Sequence, residues 1–285
     1  MCVQPHARSW GVLPDHARRR RRILEAAWRR PRPGGNGGGL TYVGGEKAEL
    51  DAMKEGLHEP ELPEDAPLPL MALAQFYAHD VPDLAHFTPP GTDLLQVLWC
   101  PFDNHTDEDA PAVQLRWRRA AEIGEVLLVQ PEPRVVEYEE YVPEPCVLHP
   151  EQIVECPYQD YLPSELNARI QAWEQDSGDG HATYQYELSI ANGWKIGGWD
   201  TWHLTDLCRV YCDCGEEMRL LLTIDSREWE GGHSWKPLEE PADDPDLPLF
   251  PLAHMPTQVT VGRCGSYRAF VCPADPRHPH RMSLQ

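Results

Sequence analysis

With 285 residues, of which 41% are hydrophobic, the chain can bury a core, and a wholly disordered protein is excluded. The formal net charge of −21, from 25 basic and 46 acidic residues, argues against a surface for nucleic acid or an anionic membrane, because the electrostatic field repels both. The 29 prolines favour short strands and extended connections over long helices.

The first part of the chain predicts two helices and then three strands. Residues 15–30 form an amphipathic helix with Asp15 as its cap. Its consecutive arginines, 18–22, indicate a solvated helix face, with a phosphate-binding patch as the alternative. A glycine-rich linker at 31–39 and a second helix at 46–57 follow. The apolar runs that predict strands are LPLMALAQFYAHDVP, DLLQVLWC and AVQLRWR.

The second part begins with a proline-rich segment, 131–163, which predicts an extended connector. A helix is expected over 163–175, where apolar residues recur at helical spacing. The strand-like runs after this helix are YQYELSI, WKIGGWDTWHL, MRLLLTIDS, TQVTVG and YRAFVC.

One phrase occurs twice in the chain. Two apolar runs end in Cys-Pro-x-Asp with a histidine close behind, in LWCPFDNH and in FVCPADPRHPH. This repetition predicts a mainly β (α+β) fold of two pseudo-equivalent β-rich lobes from an internal duplication, with a few short helices. We expect the first lobe at 1–130, a connector with a helix at 131–180 and the second lobe at 181–285, all within one compact domain.

The repeated phrase also supplies candidate metal ligands. A cysteine thiolate and an imidazole a few residues apart suit zinc, which favours tetrahedral Cys/His sets. In the second lobe, the sequence YCDCGEEM adds two cysteines beside Gly215, and a glycine permits the tight turn of a metal knuckle. His280 and Cys208 are competing candidates for this site. The predicted ligands are Cys212, Cys214, Cys272 and His278.

A parallel set is predicted in the first lobe. Cys100 and His105 belong to the repeated phrase, and the start of the chain, MCVQPH, supplies Cys2 and His6. Each set has four ligands and leaves no open coordination position, so we expect one or two structural zinc ions rather than a catalytic metal. The alternative is that these residues are ordinary thiols and surface histidines that bind no metal.

Two further pairs of reactive side chains are weaker candidates. Cys146 and His149 could act as nucleophile and base, but their spacing in a proline-rich segment does not orient a dyad. Asp225 and Glu228 could act as paired carboxylates, but solvated acidic residues are abundant in this chain. No nucleotide-binding, hydrolase or kinase signature is present in the sequence.

Several stretches resemble the YwqG-like family, a bacterial domain family of unknown function. They are ANGWKIGGWDTWHLTD, CDCGEEMRLLLTIDSREWEGG and PLMALAQFYAHDVP with LLQVLWCPFDNH, so the similarity extends from about residue 66 onward. The resemblance implies a mainly β, two-lobed fold, and no enzymatic activity is attached to the family. Family members occur near polymorphic toxin genes, which implies an immunity or chaperone-like role.

The resemblance further implies that each lobe begins with a Gly-Gly element. In the second lobe this element is Gly197 and Gly198, about fifteen residues before Cys212, whereas no such element precedes Cys2. We therefore expect that the N-terminus is truncated and that the first lobe has an exposed sheet edge.

The sequence as a whole predicts a non-enzymatic, zinc-stabilised module that binds another protein. A basic partner suits the acidic charge, and aromatic residues around 138–161 are expected to be exposed anchors. The alternative is a zinc-dependent hydrolase in which one metal keeps a water ligand.

No run approaches the roughly 20 apolar residues that span a bilayer. An odd number of cysteines, nine, fits reduced thiols, so the expected location is the cytoplasm.

Overall fold

The computed structural model of the chain describes residues 11–31, 40–55, 68–103, 110–176, 183–202, 204–229, 235–237 and 254–285. These residues form two antiparallel sheets, of three and four strands, and only a few helices. The predicted mainly β (α+β) class is therefore confirmed. None of the described helices is long and apolar enough to cross a membrane.

The first sheet follows two helices and has its strands in chain order, β1-β2-β3. Each strand is an apolar run that ends at a turn or at a proline-containing segment, as the sequence predicts. The elements are α1 (Pro14–Arg29), α2 (Glu46–Glu55), β1 (Met71–Tyr77), β2 (Leu94–Cys100) and β3 (Ala112–Arg118).

The second sheet also has its strands in chain order, β4-β5-β6-β7, and it follows the connector and one helix. All six residues of β6 are buried, so this central strand is covered on both faces. The elements are α3 (Ser164–Asp176), β4 (Lys195–Ile196), β5 (Arg219–Asp225), β6 (Ser266–Val271) and β7 (Arg281–Leu284).

The hairpins β1–β2 and β5–β6 share one register. In each, the first residue of the first strand pairs with the sixth residue of the second strand, and the pairing shifts around the third residue of the first strand. A bulge at the same place bends both hairpins alike. With this alignment Cys100 and Cys272 occupy equivalent positions, each directly after the sixth residue of its strand. The internal duplication stays a prediction, which the shared register favours.

One apolar core joins the two sheets. Side chains from both sheets, together with Ala17 of α1, belong to a single cluster of buried residues. The first sheet contributes Met71, Phe76, Leu95, Val97, Trp99 and Val113, and the second contributes Leu221, Leu222, Ile224, Tyr267, Ala269 and Val271. The hydrophobic effect therefore holds the two sheets together rather than stabilising each by itself.

The arginine face of α1 contacts the connector. Arg18 pairs with Glu132, and Arg20 pairs with Glu139. Arg21 donates to the carbonyl of Glu139 at 2.6 Å, and burial lowers its pKa to about 10. The prediction of a solvated face is therefore wrong for Arg21, because the acidic connector folds over this side of the helix.

Three local predictions are wrong. The run 184–190 is not a strand: Gln185–Ser189 forms a π-helical turn, closed by the amide of Ile190 donating to the carbonyl of Gln185 at 3.0 Å. The run 257–262 forms only an isolated bridge at Val261. The first helix begins at Pro14, so Asp15 lies in its first turn and is not its cap.

Candidate metal centre

Three thiols and one imidazole meet at the end of the second sheet. The ligand atoms of Cys212, Cys214, Cys272 and His278 all lie within 4.8 Å of one another. The Cys212 Sγ lies 3.4 Å from the His278 Nδ1, and the Cys214 Sγ lies 3.5 Å from the Cys272 Sγ. Zinc–sulfur bonds of about 2.3 Å in a tetrahedron place ligand atoms about 3.8 Å apart. The group therefore could hold a metal ion.

A short hairpin positions the first two cysteines. The Cys212 amide donates to the Glu216 carbonyl at 2.9 Å, and the Gly215 amide donates to the Cys212 carbonyl at 2.9 Å. Gly215 has a φ of +93°, a backbone conformation that favours glycine. At the base, the Met218 amide donates to the Val210 carbonyl at 2.8 Å. The Cys-x-Cys-Gly sequence therefore folds into a turn that directs both thiols to one side.

A turn after β6 positions the other two ligands. The amide of His278 donates to the carbonyl of Asp275 at 3.0 Å, which brings the imidazole back toward Cys272. Burial raises the pKa of the Cys272 thiol, but the backbone amides of Asp275 and Ala274 and the neighbouring His278 outweigh burial and lower it to about 6. A thiolate at this position suits a cationic metal, because metals bind the deprotonated thiol.

The two competing candidates lie elsewhere. The Nε2 atom of His280 is 3.0 Å from the carbonyl oxygen of Val113, so this imidazole bridges β7 to the first sheet. Cys208 is exposed and does not belong to the four-residue group. The structure therefore brings together His278, rather than His280, with the three cysteines.

The predicted first-lobe set falls mostly outside the described residues. This holds for Cys2, His6 and His105, so the set stays a prediction. Cys100 is described: it is fully buried and packs with Leu68 and Phe102.

A second polar centre, which the sequence reasoning missed, surrounds the Gly-Gly element. The Glu155 carboxylate lies 2.7 Å from the Lys195 ammonium, and both side chains are largely buried. The same carboxylate accepts a hydrogen bond from the backbone amide of Trp199. Gly197 and Gly198 have φ values of +71° and +81°, so two consecutive left-handed residues turn the chain around Glu155.

Alanine at Gly198 should destabilise the fold by more than alanine at Gly45. Both glycines have a similar left-handed φ, +81° and +87°, and the backbone alone costs about 1–2 kcal/mol in each variant. A Cβ atom at Gly198 would collide with the Glu155 carboxylate, whereas nothing lies within 4 Å at Gly45. Urea denaturation of both variants measures the difference, and equal losses would contradict a carboxylate held against the turn.

The residues after the Gly-Gly element brace two aromatic rings. The Asp200 carboxylate accepts hydrogen bonds from the Tyr161 hydroxyl at 2.8 Å and from the Trp202 indole at 2.7 Å. Burial and the charge of Asp200 raise the pKa of Tyr161 far above its usual value, so this hydroxyl stays a donor. The Gly-Gly-Trp-Asp sequence therefore fixes the position of Tyr161.

The paired carboxylates considered from the sequence are not ordinary solvated acids. Burial raises the pKa of Asp225 to about 6 and that of Glu228 to about 7. The two Asp225 oxygens accept backbone hydrogen bonds from Gly193 at 3.2 Å and from Arg227 at 3.0 Å. The bond from Gly193 ties the end of β5 to the segment before β4, and the bond from Arg227 closes the turn after β5.

No protein-family model matches the chain, and no curated protein is significantly similar to it. The resemblance to the YwqG-like family therefore stays a prediction.

Proposed function

We propose that the protein is a non-enzymatic module that a structural zinc ion stabilises and that binds a basic partner protein. The observation that supports this proposal is the meeting of three cysteines and one histidine within 4.8 Å. Such a set gives zinc all four ligands of a structural site, whereas catalytic sites have three protein ligands and a water. The zinc-dependent hydrolase is therefore the less favoured interpretation.

The charge of the chain supports a basic partner. With 46 acidic and 25 basic residues, the protein attracts cations over a long range. Complementary charge accelerates association and selects partners, and its contribution weakens as salt screens it. An immunity or chaperone-like role, which the family resemblance implies, fits capture of a basic protein.

The expected aromatic anchors around 138–161 need correction. Tyr141 and Tyr158 are buried, with exposed fractions of 5% and 6%, because their rings pack in the two hydrophobic clusters. Exposed aromatic side chains lie instead at Trp173, Tyr186, Trp199 and Tyr211. Of these, Trp199 belongs to the turn of the Gly-Gly element, and it is the aromatic contact that we propose for a partner.

A labelled nona-arginine peptide tests the basic-partner proposal. We expect saturable binding, measured by fluorescence anisotropy, whose affinity falls at least tenfold between 50 mM and 300 mM salt, because salt screens the charges that attract the peptide. The matched control is nona-citrulline, which has the same shape without charge and should not bind. Failure of nona-arginine to bind, or equal binding of nona-citrulline, would overturn the proposal.

A further inference from the structure

A pocket of about 210 Å³ lies between the Gly-Gly element and the hairpin that carries Cys212 and Cys214, residues 210–218. This volume suits one amino-acid side chain, since pockets for drug-sized ligands occupy about 300–1,000 Å³. Its lining combines aromatic, apolar and charged side chains, among them Phe87, Tyr161, Trp199, Arg209, Glu217 and Phe270.

Two aromatic rings form a fixed wall of this pocket. The Tyr161 and Trp199 ring centroids are 5.6 Å apart, with the planes inclined by 45°. The Tyr161 hydroxyl donates a hydrogen bond that the two oxygens of the Asp200 carboxylate share, and the Glu155 carboxylate accepts a hydrogen bond from the Trp199 backbone amide. The rings are thus positioned before any ligand arrives, which lowers the entropic cost of binding.

A cation of the chain itself already contacts the wall. The Arg209 guanidinium carbon lies 5.5 Å from the centroid of the Tyr161 ring. Its Nη1 atom lies 2.5 Å from a Glu217 carboxylate oxygen, and about half of each of these two side chains is exposed. An aromatic face and a carboxylate at this spacing are the two groups that bind a guanidinium.

We propose that this pocket receives an arginine side chain of the basic partner, which takes the place of Arg209 against Tyr161 and Glu217. The inference rests on the proposed function and names the contact through which it acts. Arginine suits the pocket better than lysine, because its planar guanidinium stacks on a ring and binds a carboxylate through two N–H groups at once. Arg209 occupies the site intramolecularly and competes with the partner.

The competition gives the first test. The tripeptide Ac-Gly-Arg-Gly-NH₂ is titrated into the full-length protein, and binding is followed by the NMR shift of the Trp199 indole, assigned by its loss in Trp199→Phe. Arg209→Ala should bind the tripeptide about threefold to tenfold more tightly than Arg116→Ala, a variant of equal charge whose exposed arginine lies on β3. Equal affinities of these two variants would overturn the inference.

The aromatic wall gives the second test. Trp199→Ala should weaken tripeptide binding about threefold or more, in line with the strength of an exposed cation–π contact. Because this variant has no Trp199 indole, the affinities in this test are measured by isothermal titration calorimetry. The matched control is Trp173→Ala, which removes a tryptophan of similar exposure, 47%, from α3 and should leave the affinity unchanged. A citrulline tripeptide should shift no indole resonance, and a shift of equal size would contradict a cation site.

The two proposals can fail separately. If nona-arginine binds with salt dependence while Arg209→Ala equals Arg116→Ala and Trp199→Ala equals Trp173→Ala, the pocket inference is wrong and the proposed function stands. If nona-arginine does not bind, the proposed function is wrong, and so is the assignment of the pocket to a basic partner.

Discussion

Cys212→Ser should lose its zinc and most of its stability. Structural zinc in small domains contributes an apparent binding free energy of about 10–16 kcal/mol, which is comparable with the whole net stability of a typical domain, about 5–15 kcal/mol. Serine leaves only the other three ligands in this group, Cys214, Cys272 and His278. We expect about one equivalent of zinc in the wild-type protein by elemental analysis, none in the variant, and a fall of the melting temperature by more than 10 °C.

The controls separate metal loss from general damage. Cys208→Ser and Cys146→Ser change exposed cysteines outside the group and should keep the zinc and the melting temperature. A strong chelator should lower the stability of the wild-type protein to that of Cys212→Ser and should not lower the variant further. Wild-type protein without zinc, or equal zinc loss in Cys208→Ser, would contradict the site.

Glu155→Gln should destabilise the protein by about 3 kcal/mol. The change leaves the largely buried Lys195 ammonium without its anionic partner at 2.7 Å, and breaking one side of a buried ion pair costs about 3–5 kcal/mol. The amide of Trp199 keeps an oxygen acceptor in the variant. Urea denaturation measures the loss, and Glu122→Gln, at an exposed pair with Arg119, should cost less than about 1 kcal/mol.

A double variant tests the cause of that loss. Glu155→Gln with Lys195→Met removes both charges, so the double variant should be more stable than Glu155→Gln alone. If the double variant loses as much unfolding free energy as the two single variants lose together, then the two residues do not interact. In that case the destabilisation would come from the turn at Gly198 and not from an uncompensated charge.

Contacts close in sequence made much of this fold and site predictable. The strands β1, β2, β5 and β6 are apolar runs, and a run of hydrophobic side chains of this length indicates a buried strand. The metal group was predictable because Cys212 and Cys214 flank a turn that needs Gly215, and because Cys272 and His278 recur together after a strand. These features depend on short spacings, which a sequence displays directly.

Long-range partners were not predictable for a physical reason. Glu155 binds Lys195 across 40 residues, and nothing in the proline-rich connector distinguishes this glutamate from its many acidic neighbours. The burial of Arg21 likewise depends on where the connector passes. The π-helical turn at Gln185–Ser189 has the alternating pattern of a strand, but its hydrogen bonds close locally.

One hairpin carries two of the four candidate metal ligands and also the competing cation, Arg209. Cys212 and Cys214 stand near its tip, and Arg209 and Glu217 form a pair at its base. If zinc orders the tip and a partner displaces Arg209 at the base, each binding event changes the free energy of the other, and this coupling must be equal in both directions. If ordering of the tip favours partner binding, a captured partner tightens zinc binding, and removal of zinc weakens partner binding by the same factor.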